Sequence, residues 1–114
     1  MTSLPSHATA LSAPLDEQAK YLAALKGTPA EHEPLYLWLA AHHAYAADGD
    51  NAQTIRFAEQ ARDTIASRRA AKTPHYAWSI AESDLAGRAL EVLSWVQLRA
   101  NDPQAALSAI DEAW

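Results

Sequence analysis

Alanine occupies 27 of the 114 positions, whereas valine, isoleucine and threonine together occupy 12. Alanine loses no side-chain entropy in a helix, and β-branched residues fit strands better. This ratio predicts an all-α fold and argues against a sheet-centred one. With 49% hydrophobic and 20% charged residues, a chain of this length is expected to fold around one core.

The net charge and the absence of cysteine argue against several classes of function. The net charge of −5 argues against a general nucleic-acid surface. The sequence has no cysteine, which excludes disulfides, thiolate chemistry and Cys-based zinc sites. The most apolar run, Leu35–Ala47, is too short to cross a bilayer, so no membrane partner is expected.

The first twelve residues lack the basic start and the continuous apolar stretch of a secretory signal. The sequence therefore predicts a cytoplasmic protein with a flexible tail over residues 1–12 and a helical domain over residues 13–114.

Start and stop signals divide that domain into five helices joined by short loops, which predicts antiparallel hairpins. The first helix lies between Pro14 and Gly27, and the second lies between Pro34 and Asp48-Gly49-Asp50. The third runs from Asp50 to about Ala70, and the fourth from Thr73-Pro74 to about Ala100. Asn101-Asp102-Pro103 begins the fifth. Either a short turn precedes Pro34, or the second helix simply starts there.

The helices differ in how much of their circumference is apolar. Segments 35–47 and 85–98 are hydrophobic on nearly every face, whereas segments 52–69 and 104–113 carry a single apolar stripe. A helix that is apolar all round must be covered from several sides. The order inner, outer, inner, outer is typical of stacked helical hairpins.

Two stretches carry the spacing of a known repeat. In the first copy the matching residues are Trp38, Tyr45, Gly49-Asp50, Ile55, Phe57 and Ala61; in the second they are Leu90, Leu93, Gln97, Asn101-Asp102, Ala106, Ile110 and Ala113. The chain thereby resembles the tetratricopeptide repeat family, with its W…Y…GD…A-x3-F…A pattern. The two copies stand 52 residues apart instead of the usual 34, which resembles the extended repeats of bacterial regulators and adaptors. The resemblance implies a right-handed solenoid; a plain alanine-rich bundle without repeat ancestry is the alternative.

The resemblance also implies a ligand surface, because ligands of that family lie on the concave face of the inner helices. Carried over by position, this face gives Ala46, Ala47 and the candidate protein-binding residues Tyr36, Leu39, His43, Arg88, Glu91, Trp95, Leu98 and Arg99. An exposed Trp flanked by Arg is a plausible peptide anchor. The alternative is that Trp95 and Leu98 pack under the fifth helix or against a further hairpin. Leu39 and His43 stand where the family's carboxylate-gripping subset has Lys and Asn, so binding of chaperone tails is not predicted.

Histidines 42 and 43 invite a metal or acid–base interpretation. Adjacent helical residues point about 100° apart, so the two imidazoles cannot bind one ion without help from elsewhere. Core or interface histidines are the better interpretation, and no metal or cofactor is predicted.

The sequence contains no nucleophile elbow, phosphate loop or paired-carboxylate cleft. It therefore predicts a non-catalytic interaction module, such as an adaptor, a chaperone or a toxin-neutralising partner, that binds a peptide or helix of another protein. Exposure of Leu98, Ile110 and Trp114 would be explained by self-association, a bound partner or a longer chain. The alternative function is a fragment of a larger bacterial regulator.

Overall fold

Helices make up almost all of the part of the chain that the computed structural model describes, residues 7–71 and 80–113, and this part contains no strand. In chain order they are α1 (His7–Ser12), α2 (Leu15–Leu25), α3 (Pro34–His43), α4 (Asn51–Ala71), α5 (Ile80–Arg99) and α6 (Pro103–Ala113), with a 3₁₀ turn at Pro29–His32 and a π-helical turn at Ala44–Asp48. The all-α prediction is confirmed. None of the helices in these ranges has the length and apolarity needed to span a bilayer.

The first differences from the sequence-based expectation lie near the N-terminus. Residues 7–12 were expected to belong to a flexible tail, but they form α1 and pack against α3. Ala10 is fully buried, and Leu11 packs against the core, because the apolar surface of α3 needs cover on this side too. The described chain therefore has six α-helices instead of the predicted five. Residues 1–6, the predicted helix start at Thr73-Pro74, and Trp114 lie outside the described residues.

Both structures that the sequence allowed at Pro34 are present. A 3₁₀ turn precedes it, and α3 starts at Pro34 itself, where the missing N–H of proline costs nothing. Gly27, with φ +81°, ends the segment after α2. The Glu31 carboxylate accepts a hydrogen bond from the Gly27 N–H at 2.9 Å, which ties the turn to the end of α2.

A wider turn ends the first inner helix. Across Ala44–Asp48 the hydrogen bonds run one residue further than in an α-helix, so the N–H of Gly49 donates to the carbonyl of Ala44. Gly49 adopts the left-handed conformation, φ +64°. The Asp50 carboxylate then accepts from the N–H of Gln53 at 3.0 Å and caps α4, as the sequence predicted.

The second inner helix ends in a related way. Asn101 is left-handed, φ +66°, and its N–H donates to the Leu98 carbonyl at 3.0 Å, while the Asp102 N–H donates to the Gln97 carbonyl at 2.8 Å. This pair of bonds is a Schellman motif. The Asp102 carboxylate caps α6 through the N–H of Ala105 at 3.2 Å.

Packing follows the apolar faces. Helix α3 contacts α1, α2, α4 and α5, and buries Pro34 and the whole run 36–41, so its predicted coverage from several sides is confirmed. Helix α4 buries only one stripe, made of Thr54, Ala58, Ala61 and Ile65. Helix α5 packs against α3, α4 and α6. It buries the predicted core around Leu93.

Candidate functional site

Helix α5 presents one exposed stripe on the side away from its core contacts. Its core residues, such as Val92 and Val96, are almost completely buried. By contrast, Trp95 is 39% exposed and Leu98 is 59% exposed. Arg88, Glu91 and Arg99 lie on the same stripe because residues three, four and seven apart share a helix face. All five predicted α5 residues therefore lie together on the surface.

Next to this stripe lies a shallow cavity of about 100 Å³, here called the inner groove. It crosses α1, α3 and α5, and it is lined by Leu11, Trp38, His42, Arg88, Glu91, Val92 and Trp95. Its walls are aromatic and aliphatic, with charges contributed by α5. The Arg88 guanidinium pairs with Asp84 one turn earlier, Nε to Oδ2 at 2.7 Å, which orients Arg88 along the helix.

His42 forms the polar part of the α3 wall. Its ring stacks on Trp38, with the centroids 5.3 Å apart. The side-chain amide of the buried Gln18 lies 3.2 Å from His42 Nδ1, so a neutral imidazole can accept a hydrogen bond from α2. Burial, and then the neighbouring His43, lower the pKa of His42 below its ordinary value. His42 is therefore an uncharged wall of the groove at neutral pH.

At the far end of the stripe, Arg99 is held by the π-helical turn and by the first residue of α4. Its Nε donates to Asn51 Oδ1 at 2.7 Å, and its Nη1 donates to the backbone carbonyl of Tyr45 at 2.8 Å. The guanidinium carbon also lies 4.0 Å from the centroid of the Tyr45 ring. The same ring contacts Trp95, with the centroids 5.9 Å apart. Tyr45 thus fixes both the apolar anchor and the cation beside it.

The three α3 candidates do not join this surface. Leu39 is fully buried in the core, so its assignment as a binding residue is wrong for this fold. Tyr36 is 7% exposed and lines, with His43, a separate cleft between α2 and α4. The physical reason is that α2 packs on α3 and covers the face that the repeat spacing would leave open.

Sequence reasoning missed the α3 and α1 side of the groove. In the sequence, Trp38 and Tyr45 stand out only as residues that match the repeat pattern. The signal that could have indicated more is the i, i+4 pair of Trp38 and His42, two aromatic rings on one helix face. Leu11 carried no such signal, because its segment reads as a tail.

Within residues 7–71 and 80–113, no group of three His, Asp or Glu side chains could hold a metal ion. Comparison of the chain with protein-family models, curated proteins and solved structures gave no match. What the groove can bind is therefore inferred from its own residues.

Proposed function

We propose that this chain is a non-catalytic protein-interaction domain built from tetratricopeptide-like hairpins, and that it captures a peptide or helix of another protein. The peptide lies along the inner groove and the exposed stripe of α5. One observation carries the proposal: a large aromatic side chain, Trp95, and an aliphatic one, Leu98, are exposed side by side on a helix that otherwise packs against α3, α4 and α6.

The repeat origin is supported by the helix ends. Gly49 and Asn101, 52 residues apart in the chain, are both left-handed, with φ +64° and +66°. The residues that follow them, Asp50 and Asp102, both cap the next helix with a side-chain carboxylate. The same conformation and the same cap at both helix ends are what two copies of one hairpin would give, although each is also common at helix ends in general.

The order of packing also supports hairpins. Helix α3 contacts its own following helix, α4, and both preceding helices, α1 and α2. Helix α5 likewise contacts α6 and both preceding helices, α3 and α4. This is the neighbour pattern of stacked helical repeats, in which each first helix touches its own hairpin and the one before it. On this interpretation α1 and α2 form a short leading hairpin.

The chemistry of the stripe defines the partner. Trp95 supplies the apolar area typical of an interface anchor, and Tyr45 holds its ring in place, so little side-chain entropy remains to be lost on binding. Glu91 and Arg88 flank the anchor with opposite charges. We expect a ligand with one large apolar residue against Trp95 and Leu98, and with a polar residue of either sign beside it.

Peptides selected from a random library against the full chain test this proposal. Trp95→Ala should weaken their binding at least about tenfold, because a central aromatic anchor dominates such interfaces. Leu107→Ala is the matched control: Leu107 is 63% exposed on α6 and does not line the groove. Binding that survives Trp95→Ala, or that is lost equally in both variants, would contradict the assignment of the groove.

A further inference from the structure

A second concave surface lies between α2 and α4, where both helices pack on α3. It consists of two adjoining cavities of about 520 and 530 Å³. Four residues line both cavities and form the waist between them: Lys26, Tyr36, Arg56 and Phe57. Volumes of this size are typical of small-molecule sites, and the waist is the position at which a ligand would contact both helices.

The waist brings together hydrogen-bond donors that are not paired with a carboxylate. Tyr36 is 7% exposed, yet its hydroxyl makes no hydrogen bond with any described residue. The side chain of Lys26 has no ion pair or hydrogen bond in the described chain either. Arg56 contacts only the neutral side chain of Gln53 and the face of the Phe57 ring, whose centroid is 4.7 Å from the guanidinium carbon. The Lys26 and Arg56 side chains are exposed to water, so their donors can turn to a ligand acceptor at the waist.

The hydroxyl of Tyr36 is a donor at neutral pH. Burial, and then the negative charge of Glu31, raise the pKa of Tyr36 above its ordinary value. Two cationic side chains and a phenol thus face one space above an aromatic ring. This combination favours an acceptor group with negative charge.

The acidic residues of the cleft favour a ligand that carries a single negative charge. Glu31 lines only the first cavity, and Asp48 and Asp50 line only the second, so carboxylates stand at both ends of the waist. A polyanion would meet one of these ends and be repelled, whereas a single negative group fits between them. Beside the waist, the second cavity offers an apolar wall made of Leu22, Ala23 and Ala40.

We propose that the waist of this cleft binds a small organic monocarboxylate with an apolar or aromatic body. The carboxylate accepts hydrogen bonds from Lys26, Arg56 and Tyr36. The body lies on the Phe57 ring and along the apolar wall of the second cavity. This site is independent of the inner groove, since no residue lines both.

The test uses 3-phenylpropionate as the probe, titrated into the isotope-labelled full chain and followed by amide chemical shifts. A dissociation constant on the order of millimolar is expected for so small a ligand. The neutral isostere 3-phenylpropanamide should bind at least about tenfold more weakly, because it loses the charge-assisted bonds.

Variants locate the binding. Lys26→Met and Arg56→Met should each weaken it about tenfold, and Tyr36→Phe, which keeps the ring, about threefold. Lys20→Met is the matched control, since Lys20 is exposed on α2 and lines neither cavity. Equal affinity for the acid and the amide, or an equal loss in Lys20→Met and Lys26→Met, would overturn the proposal. Binding of a peptide that carries an internal Asp, with no binding of free 3-phenylpropionate, would overturn it as well.

Discussion

Helices α3 and α5 both pack against several neighbours, yet one is almost wholly core and the other is half surface. Helix α3 buries the run 36–41, while α5 leaves the stripe with Trp95 and Leu98 exposed. The difference comes from their neighbours. Helices α1 and α2 cover the ligand face predicted for α3, whereas the matching face of α5 is only partly covered, by Leu11, Trp38 and Tyr45. The position of a residue in the sequence pattern thus predicts the face of the helix on which it lies. The segments that pack beside the helix decide whether this face is buried or exposed.

The largest expected effect contrasts two leucines that the sequence assigned to the same binding role. Leu39→Ala should lower the free energy of unfolding by about 2–5 kcal/mol, because it leaves a cavity in a fully buried site. Leu98→Ala should change it by less than about 0.5 kcal/mol, since the side chain is mostly in water. Urea denaturation measures both. Similar losses for the two variants would mean that α3 and α5 are covered alike.

A smaller effect is expected when the cover of α3 is removed. Deletion of residues 1–12 takes away the buried Ala10 and the partly buried Leu11, and should cost about 1–2 kcal/mol of unfolding free energy. Ala10→Asp in the full-length chain should approach the same loss, because a carboxylate at this buried site would undock α1. Unchanged stability in both variants would show that α3 does not need this cover.

The smallest effect concerns pH, and it distinguishes α3 from α5 because the described part of α5 has no histidine. The pKa of His42 is lowered in the folded chain, so the unfolded chain binds the proton more readily. The stabilising contribution is therefore complete above the ordinary pKa of 6.5 and is lost as the pH falls below it. Denaturation at pH 7 and pH 5 should show a smaller loss in His42→Gln than in the unchanged chain. A loss of the same size in both would exclude His42 as its source.

Helix class and helix ends were predictable because local chemistry decides them. Alanine content indicated helix. Asp50 and Asp102 are residue types that cap helix starts, and each accepts a hydrogen bond from the N–H three residues later. Gly49 and Asn101 likewise marked left-handed ends, since few residue types tolerate that conformation.

The tail and half of the site were not predictable, because tertiary contacts decide them. The segment His7–Ser12 is too short to form a stable helix alone, and it is helical where α3 gives it an apolar surface. The covering of Leu39 depends in the same way on chain that precedes the repeat. Trp95 and Leu98 are exposed, as the sequence led us to expect, and their role in binding stays a prediction.

The π-helical turn at the end of α3 has a consequence for how the two hairpins are joined. Because the N–H groups of Gly49 and Asp50 both donate to the Ala44 carbonyl, the Tyr45 carbonyl loses its usual donor within the helix and accepts from Arg99 instead. The extra residue of the π-helical turn thereby gives rise to a hydrogen bond between the two hairpins, from Arg99 to the Tyr45 carbonyl. Shortening that turn by a single residue would return the carbonyl to its own helix and remove one of the bonds that hold Arg99, so the length of the turn contributes to the joining of the two hairpins alongside their apolar contacts.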